Sequence, residues 1–150
     1  MDAVKINDRV KRIYKGLVLN DYGSGQNYAT YIQEGSKTIE TRMNRSFSYR
    51  GDVIICCGKT NSVTPHAGKA LCIVDLWKVR NMLPGDAEAA GVSWDPKRKS
   101  LLLRNWRHFD KEFDFAPCAI QRNFQGMFDM FIPDHVKIIP RPDIIPFPEK

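Results

Sequence analysis

The chain has 150 residues, and 23 basic against 17 acidic residues leave a formal charge of +6. That length suits one domain with a sizeable core, and the positive balance favours polyanionic partners, though weakly. No apolar run approaches the roughly 18 residues of a membrane helix, and the charged N-terminus lacks the apolar stretch of a signal peptide. A cytoplasmic protein with no membrane partner is therefore expected.

In chain order, Ile6, Val10, Ile13 and Tyr14 follow helical spacing, which predicts a short basic helix in an N-terminal extension, residues 1–14. Gly16 to Asn20 reads as a first strand. Asp21 to Gly25 is a turn rich in breakers, with Ser24 the expected N-cap of a helix over Gln26 to Glu34. That helix carries Tyr28, Tyr31 and Ile32 on one face and closes on Gly35. Thr38 to Met43 and Asp52 to Cys57 read as the next strands, separated by a polar loop. Lys69 to Arg80 is long enough for a strand to need a bend or bulge. Pro84 to Gly91 reads as a short helix capped by Asp86. Leu101 to Phe109 follows as a strand, with Leu101, Leu103, Asn105 and Arg107 on one face and Leu102, Arg104, Trp106 and His108 on the other. Phe113 to Pro117 reads as another strand, and Gly126 to Ile132 as the last. Five of the nine prolines fall from Pro133 onward. The tail, 134–150, therefore cannot supply a central strand and is expected to wrap the domain in extended form or fray. There is no internal repeat and no second domain.

Cys56, Cys57, Cys72 and Cys118 form no C-x-x-C pair and read as reduced core cysteines. The histidines are scattered, so neither a metal nor a cofactor is expected.

The richest segment is Gly35-Ser36-Lys37-Thr38-Ile39-Glu40-Thr41-Arg42. Lys37 sits where a helix passes into a strand, and Glu40 and Arg42 share one face of that strand. Lys37 reads as a phosphate or carbonyl ligand, or as a base if its pKa is depressed. Glu40 suits a base-edge acceptor or a general acid/base, and Arg42 a bidentate phosphate clamp. The competing reading is structural: an internal ion pair of Glu40 with Arg42 or Lys37. Ser24, at a Gly-rich helix start, is a weaker candidate for anion contact and is more simply a cap. Arg45, Tyr49 and Arg50 flank the strand and could border a groove. Basic residues also crowd Lys5 to Lys15 and Lys97 to Lys99, where each run reads first as a solvated face. Trp77 and Trp106 suit the core, whereas Trp94 is the tryptophan expected to be exposed.

The order of helix, Gly35-x-Lys37-x-x-Glu40-x-Arg42, a turn with Gly51 and then the apolar run Val53 to Cys57 resembles the ASCH domain, of the PUA-like group. Gly68 to Leu76 and Gln125 to Phe128 look like further blocks of that family, so the resemblance covers residues 15–133. One departure is Gly23-Ser24-Gly25-Gln26, where the family often has a proline and an aromatic. The resemblance implies an α+β, mainly β fold: a small mixed β-barrel of five to seven strands, closed or nearly so, with the helix packed on its mouth and one or two short extra helices. It also implies RNA, a nucleotide or a modified nucleoside as partner, held by Lys37, Glu40, Arg42, Arg45, Tyr49, Arg50 and Ser24. A monomer is expected. Some ASCH-like proteins look like enzymes, either ribonucleases or amidohydrolases of acylated cytidine. The amidohydrolase type uses a lysine and a threonine in the motif plus a later glutamate; here Lys37 matches the lysine, but Glu40 stands at the threonine position. Whether the chain is an enzyme stays open, with Lys37 and Glu40 as its catalytic candidates. A third reading is an interaction module using the proline-rich tail.

Overall fold

A computed structural model describes residues 2–121 and 123–148. The chain begins with a hairpin rather than the predicted helix: β1 (Ala3–Ile6) pairs antiparallel with β2 (Arg9–Arg12). Asn7 and Asp8 join them, both at positive φ (50° and 64°). Two such residues make a hairpin turn that follows strand twist. The helical spacing of Ile6 and Val10 gains nothing, because Val10 stays 76% exposed and has no face to bury.

The body is one mixed sheet. Its strands are β3 (Tyr14–Leu19), β4 (Ile39–Met43), β5 (Gly51–Cys57), β6 (Lys69–Asn81), β7 (Arg98–Asp114), β8 (Phe128–Met130) and β9 (Ile138–Pro140). The order is β4-β7-β6-β5-β3-β8, with β9 beside β7. Only β3 and β5 run parallel. Helix α1 (Tyr28–Glu34) covers one face and connects β3 to β4. A 3-10 turn, Pro84–Asp86, leads into the one-turn α2 (Ala87–Ala90) between β6 and β7. The hydrogen-bonded path ends at β4 and at β8, so backbone pairing leaves the sheet open and does not make the expected closed barrel.

The predicted strands at Leu101 and Phe113 are one strand, β7, which ends at Asp114; a 3-10 turn, Ala116–Cys118, follows. The single alternation expected along this strand is broken at Asn105, which takes φ 56°. Opposite it, Ile73 pairs with Arg107 while Asp75 pairs with Arg104, so β7 carries one residue more than β6. This bulge flips the phase, and Trp106 joins Leu101 and Leu103 in one core cluster. Its indole N–H donates to the Ile32 carbonyl of α1 (2.6 Å). The second core cluster lies on the other face, where Phe109, Phe113, Phe115 and Phe128 surround Ile54 and Ile73. All four cysteines are buried thiols. Among the described residues no helix is long and apolar enough to cross a membrane.

Ser24 is not the helix cap. It is exposed, at φ 51°, in the turn before Asn27, the residue that precedes α1. The first turn is held instead by Asp21, fully buried, whose carboxylate accepts from the Thr30 backbone N–H (3.1 Å), the Thr30 hydroxyl (2.5 Å) and the Thr64 hydroxyl (2.7 Å). Burial pushes the Asp21 carboxyl up, and these hydrogen bonds more than reverse it. An anion site at this helix start is thus already filled by the protein's own carboxylate.

The tail wraps the domain in extended form. β9 adds to the flank of β7, the Arg141 N–H donates to the Trp106 carbonyl (2.8 Å), and Ile144 enters the α1 core cluster. Gly35 makes room for it: at φ +86° it closes α1, and a Cβ there would sit 2.5 Å from Ile144 Cγ2. Ile144→Ala should cost about 2 kcal/mol in urea unfolding, the low end for a buried isoleucine because the tail can relax. A loss below about 0.5 kcal/mol, the range of an ordinary surface change, would mean the tail merely lies on the surface.

Candidate functional site

The site grows from a lysine taken out of water. Lys37 is 2% exposed. Gly35 turns the chain off α1, the Lys37 N–H donates to the Tyr31 carbonyl (3.0 Å) and the Thr38 N–H to the Ala89 carbonyl (3.0 Å), so the residue is pinned between α1 and α2. Its ammonium donates to the Ala90 carbonyl at the end of α2, lies 3.5 Å from Glu40 Oε1, and sits 5.4 Å from the centre of the Tyr28 ring. Burial pushes the Lys37 pKa below its ordinary 10.5; Glu40 opposes that fall, and Arg98 and Arg42 add to it.

Glu40 is 7% exposed and takes two cations at once. Its Oε2 accepts from Arg42 Nε (3.0 Å), while Oε1 faces Lys37. The strand phase predicts this: Glu40 and Arg42 lie on one side of β4 and clasp each other. Arg42 goes further. Its Nη2 donates to the Val18 carbonyl on β3 (3.0 Å), so a side chain spans the gap where β4 and β3 do not pair.

Above this cluster opens a cavity of about 330 Å³, whose lining includes Lys37, Glu40, Arg42, Tyr28, Tyr22 and Arg98. Tyr22, half exposed, meets Tyr28 edge to face (6.2 Å between ring centres). Arg98 Nη1 donates to Thr41 Oγ1 (3.2 Å), and its buried Nε has no partner among the described residues.

Three of the sequence candidates, Lys37, Glu40 and Arg42, therefore meet in one place. The other four do not line this cavity. Arg45 is exposed, donates to the Gln125 carbonyl (3.3 Å) and lies over Phe47. Tyr49 donates to the Asp52 carbonyl (2.9 Å), and Arg50 to the carbonyls of Phe47 and Tyr49 (2.8 Å each), which fixes the loop before β5. Ser24 stays in its exposed turn. Arg98 is not one of the seven site candidates, although its run is one of the basic clusters offered for nucleic-acid contact. Its place in a Lys-Arg-Lys run suggested a solvated face, but the run enters β7, where alternation sends Arg98 to the cavity and Lys99 to Asn81. Tyr28, placed with Tyr31 and Ile32 on one face of the helix, lines the site. Among the described residues no group of His, Cys, Asp and Glu could hold a metal ion.

The crowded N-terminal cations are not free either. Arg9 and Lys11 pair with Asp134, Arg12 with Asp52, and Lys15 with Asp129.

Lys37 makes stability depend on pH. Its folded pKa is depressed, so above 10.5 the amine is neutral in both states and the buried group carries no charge penalty. As pH falls from 10.5 toward the folded value, the unfolded chain binds the proton first and stability drops, then levels off below that value. Urea unfolding of the protein and of Lys37→Met, compared at steps up to pH 10.5, should show the native protein gaining on the variant as pH rises. A constant difference would mean that Lys37 keeps an ordinary pKa.

A comparison with curated proteins finds no match for this sequence. Among solved structures, the chain is similar to the crystal structure of a point mutant of ZmASCH from Zymomonas mobilis. The TM-score is 0.53 and the identity 14%, over 80% of this chain and 91% of that one, a likeness of fold. The ASCH domain family matches residues 25–114, which run from the start of α1 to the last residue of β7 and include Lys37, Glu40, Arg42 and Arg98. The chain, with its mainly β fold and few helices, belongs to the ASCH domain family.

Proposed function

We propose that the chain binds RNA, a nucleotide or a modified nucleoside in the Lys37 cavity. The observation that carries this reading is the pairing of an aromatic wall, Tyr22 and Tyr28, with two guanidinium groups, Arg42 and Arg98, over a buried carboxylate. A base can stack on the aromatic wall, its N–H edge can reach the remaining lone pairs of Glu40, and a phosphate can meet the part of the Arg98 guanidinium that lines the cavity. In this reading the PUA-like barrel is closed at its mouth by the Arg42–Val18 hydrogen bond instead of by a backbone ladder, and ligand sits in that seam.

A second reading has its own support. A lysine whose pKa is lowered by burial, beside a carboxylate and a cavity, is a fit general base, so hydrolysis of RNA or of an acylated nucleoside by Lys37 and Glu40 is the alternative. Titration of short RNA and nucleosides into the protein, with product analysis of the same mixtures, separates the two. Arg42→Ala should weaken binding by roughly tenfold or more, since it removes a charged contact worth about 1.5–3 kcal/mol. Glu40→Gln keeps shape and removes charge: a binder should lose modest affinity, and an enzyme nearly all its rate. Unchanged affinity in Arg42→Ala, with a lowered melting temperature, would make the cluster purely structural.

Salt dependence follows from where the cations lie. With Arg45 and Arg50 tied to loop carbonyls away from the cavity, Arg42 and Arg98 are left to meet phosphate there. The part of the slope of log affinity against log salt that comes from this cavity should be about −1.4 at most, from roughly −0.7 per phosphate on a single strand. A much steeper slope would move the principal contacts to the exposed basic runs.

A further inference from the structure

We propose that the ligand is single-stranded RNA of at least two nucleotides, and that a second cavity across the β3 edge holds the next nucleotide. This rests on the nucleic-acid reading above. The second cavity, about 620 Å³, is nearly twice the first, and both are lined by Val18 and Asn20. The two cavities therefore adjoin at Val18 and Asn20.

The groove exists because β3 loses its partner midway. β8 pairs with Tyr14, Lys15 and Gly16 only, and beyond them the Val18 carbonyl takes Arg42. Asn20 lies across the divide. A Cβ at Gly58 would collide with its Oδ1, so the glycine lets the carboxamide lie close against the backbone, while Nδ2 donates to the Tyr22 hydroxyl (3.1 Å). The ridge is thus polar and tied to the aromatic wall of the first cavity.

The second cavity repeats the chemistry of the first. Phe124, half-buried, is fixed edge to face by Phe115 (5.2 Å) and Phe128 (4.8 Å), which makes a rigid platform for a base. Lys59 is exposed at the rim, where a phosphate linking the two cavities would pass. Asp114, also in the lining, is already matched by Lys69 (2.8 Å). Two aromatic platforms with cations, in adjoining cavities, suit stacked bases on a charged backbone. An extended peptide would need a bare strand edge along the groove, and here the Val18 carbonyl is taken.

The test is a length series with the full chain: mixed-sequence RNA of one, two and four nucleotides, titrated by calorimetry. Affinity should rise roughly tenfold or more from one nucleotide to two, the scale of one added stacking contact. Phe124→Ala and Lys59→Gln should each return the dinucleotide toward the affinity of the mononucleotide and leave the mononucleotide itself unchanged. Lys59→Gln carries the test alone if Phe124→Ala fails to fold, since Lys59 is exposed. Equal affinity at all lengths, or a dinucleotide untouched by Lys59→Gln, overturns the second subsite while the first stands. If no length binds, the nucleic-acid reading falls with it. A proline-rich peptide that occupies the groove more tightly than RNA also overturns the proposal.

Discussion

The burial of one lysine ammonium organises this end of the molecule. Taking a charge out of water costs several kcal/mol even after relaxation, and it is tolerated only with close partners. Lys37 has three, each from a different element: the Glu40 carboxylate on β4, the Ala90 carbonyl at the end of α2, and the face of Tyr28 on α1. Each partner is itself held. Glu40 is clasped by Arg42. The turn that leads into α2 is anchored by Asp86, which is 1% exposed and accepts from Arg80 (2.6 Å), the Leu83 N–H (3.0 Å) and Ser100 (2.9 Å). Remove any one partner and the lysine charge is left short, so the cluster favours a single arrangement.

The second constraint is the failure of the sheet to close. β6 and β7 are long and pair through three register shifts, which coil the sheet so that β4 turns toward β3. The two strands do not pair. The Arg42 side chain crosses between them, which leaves a seam lined by polar groups where a barrel wall would otherwise run. A strand edge normally needs covering. Here the Arg42 side chain covers the edge at Val18, and the two cavities adjoin there.

Much of this was legible in the sequence because the signals were local. Gly35 ends α1 as a glycine should, and the two-residue period of β4 puts Glu40 beside Arg42. What failed was non-local. Ile6, Val10 and Ile13 have helical spacing, but a helix needs a face to bury against, and Asn7-Asp8 offered a hairpin turn instead. Ser24 looked like the cap, while Asp21, further back and folded over the helix start, does the work with Thr64 from a distant loop. Trp106 was placed on the wrong face because one αL residue, Asn105, shifts the phase of β7. Arg98 was hidden in a basic run whose strand register only the fold sets.

Charge shows the same distinction. A formal +6 favours anionic partners weakly, and the N-terminal run is one of the basic clusters the sequence offers. In the fold, Arg9, Lys11, Arg12 and Lys15 are spent on Asp134, Asp52 and Asp129, where they staple the first hairpin and β3 to neighbouring segments. Arg98 differs from them: half-buried in the lining of the cavity, it donates through Nη1 to Thr41 and keeps its Nε out of water with no partner among the described residues. An exposed cation has water as a partner, whereas a desolvated donor costs free energy until it is met. How the fold distributes its cations between solvent and interior therefore says more about its charge than their number does.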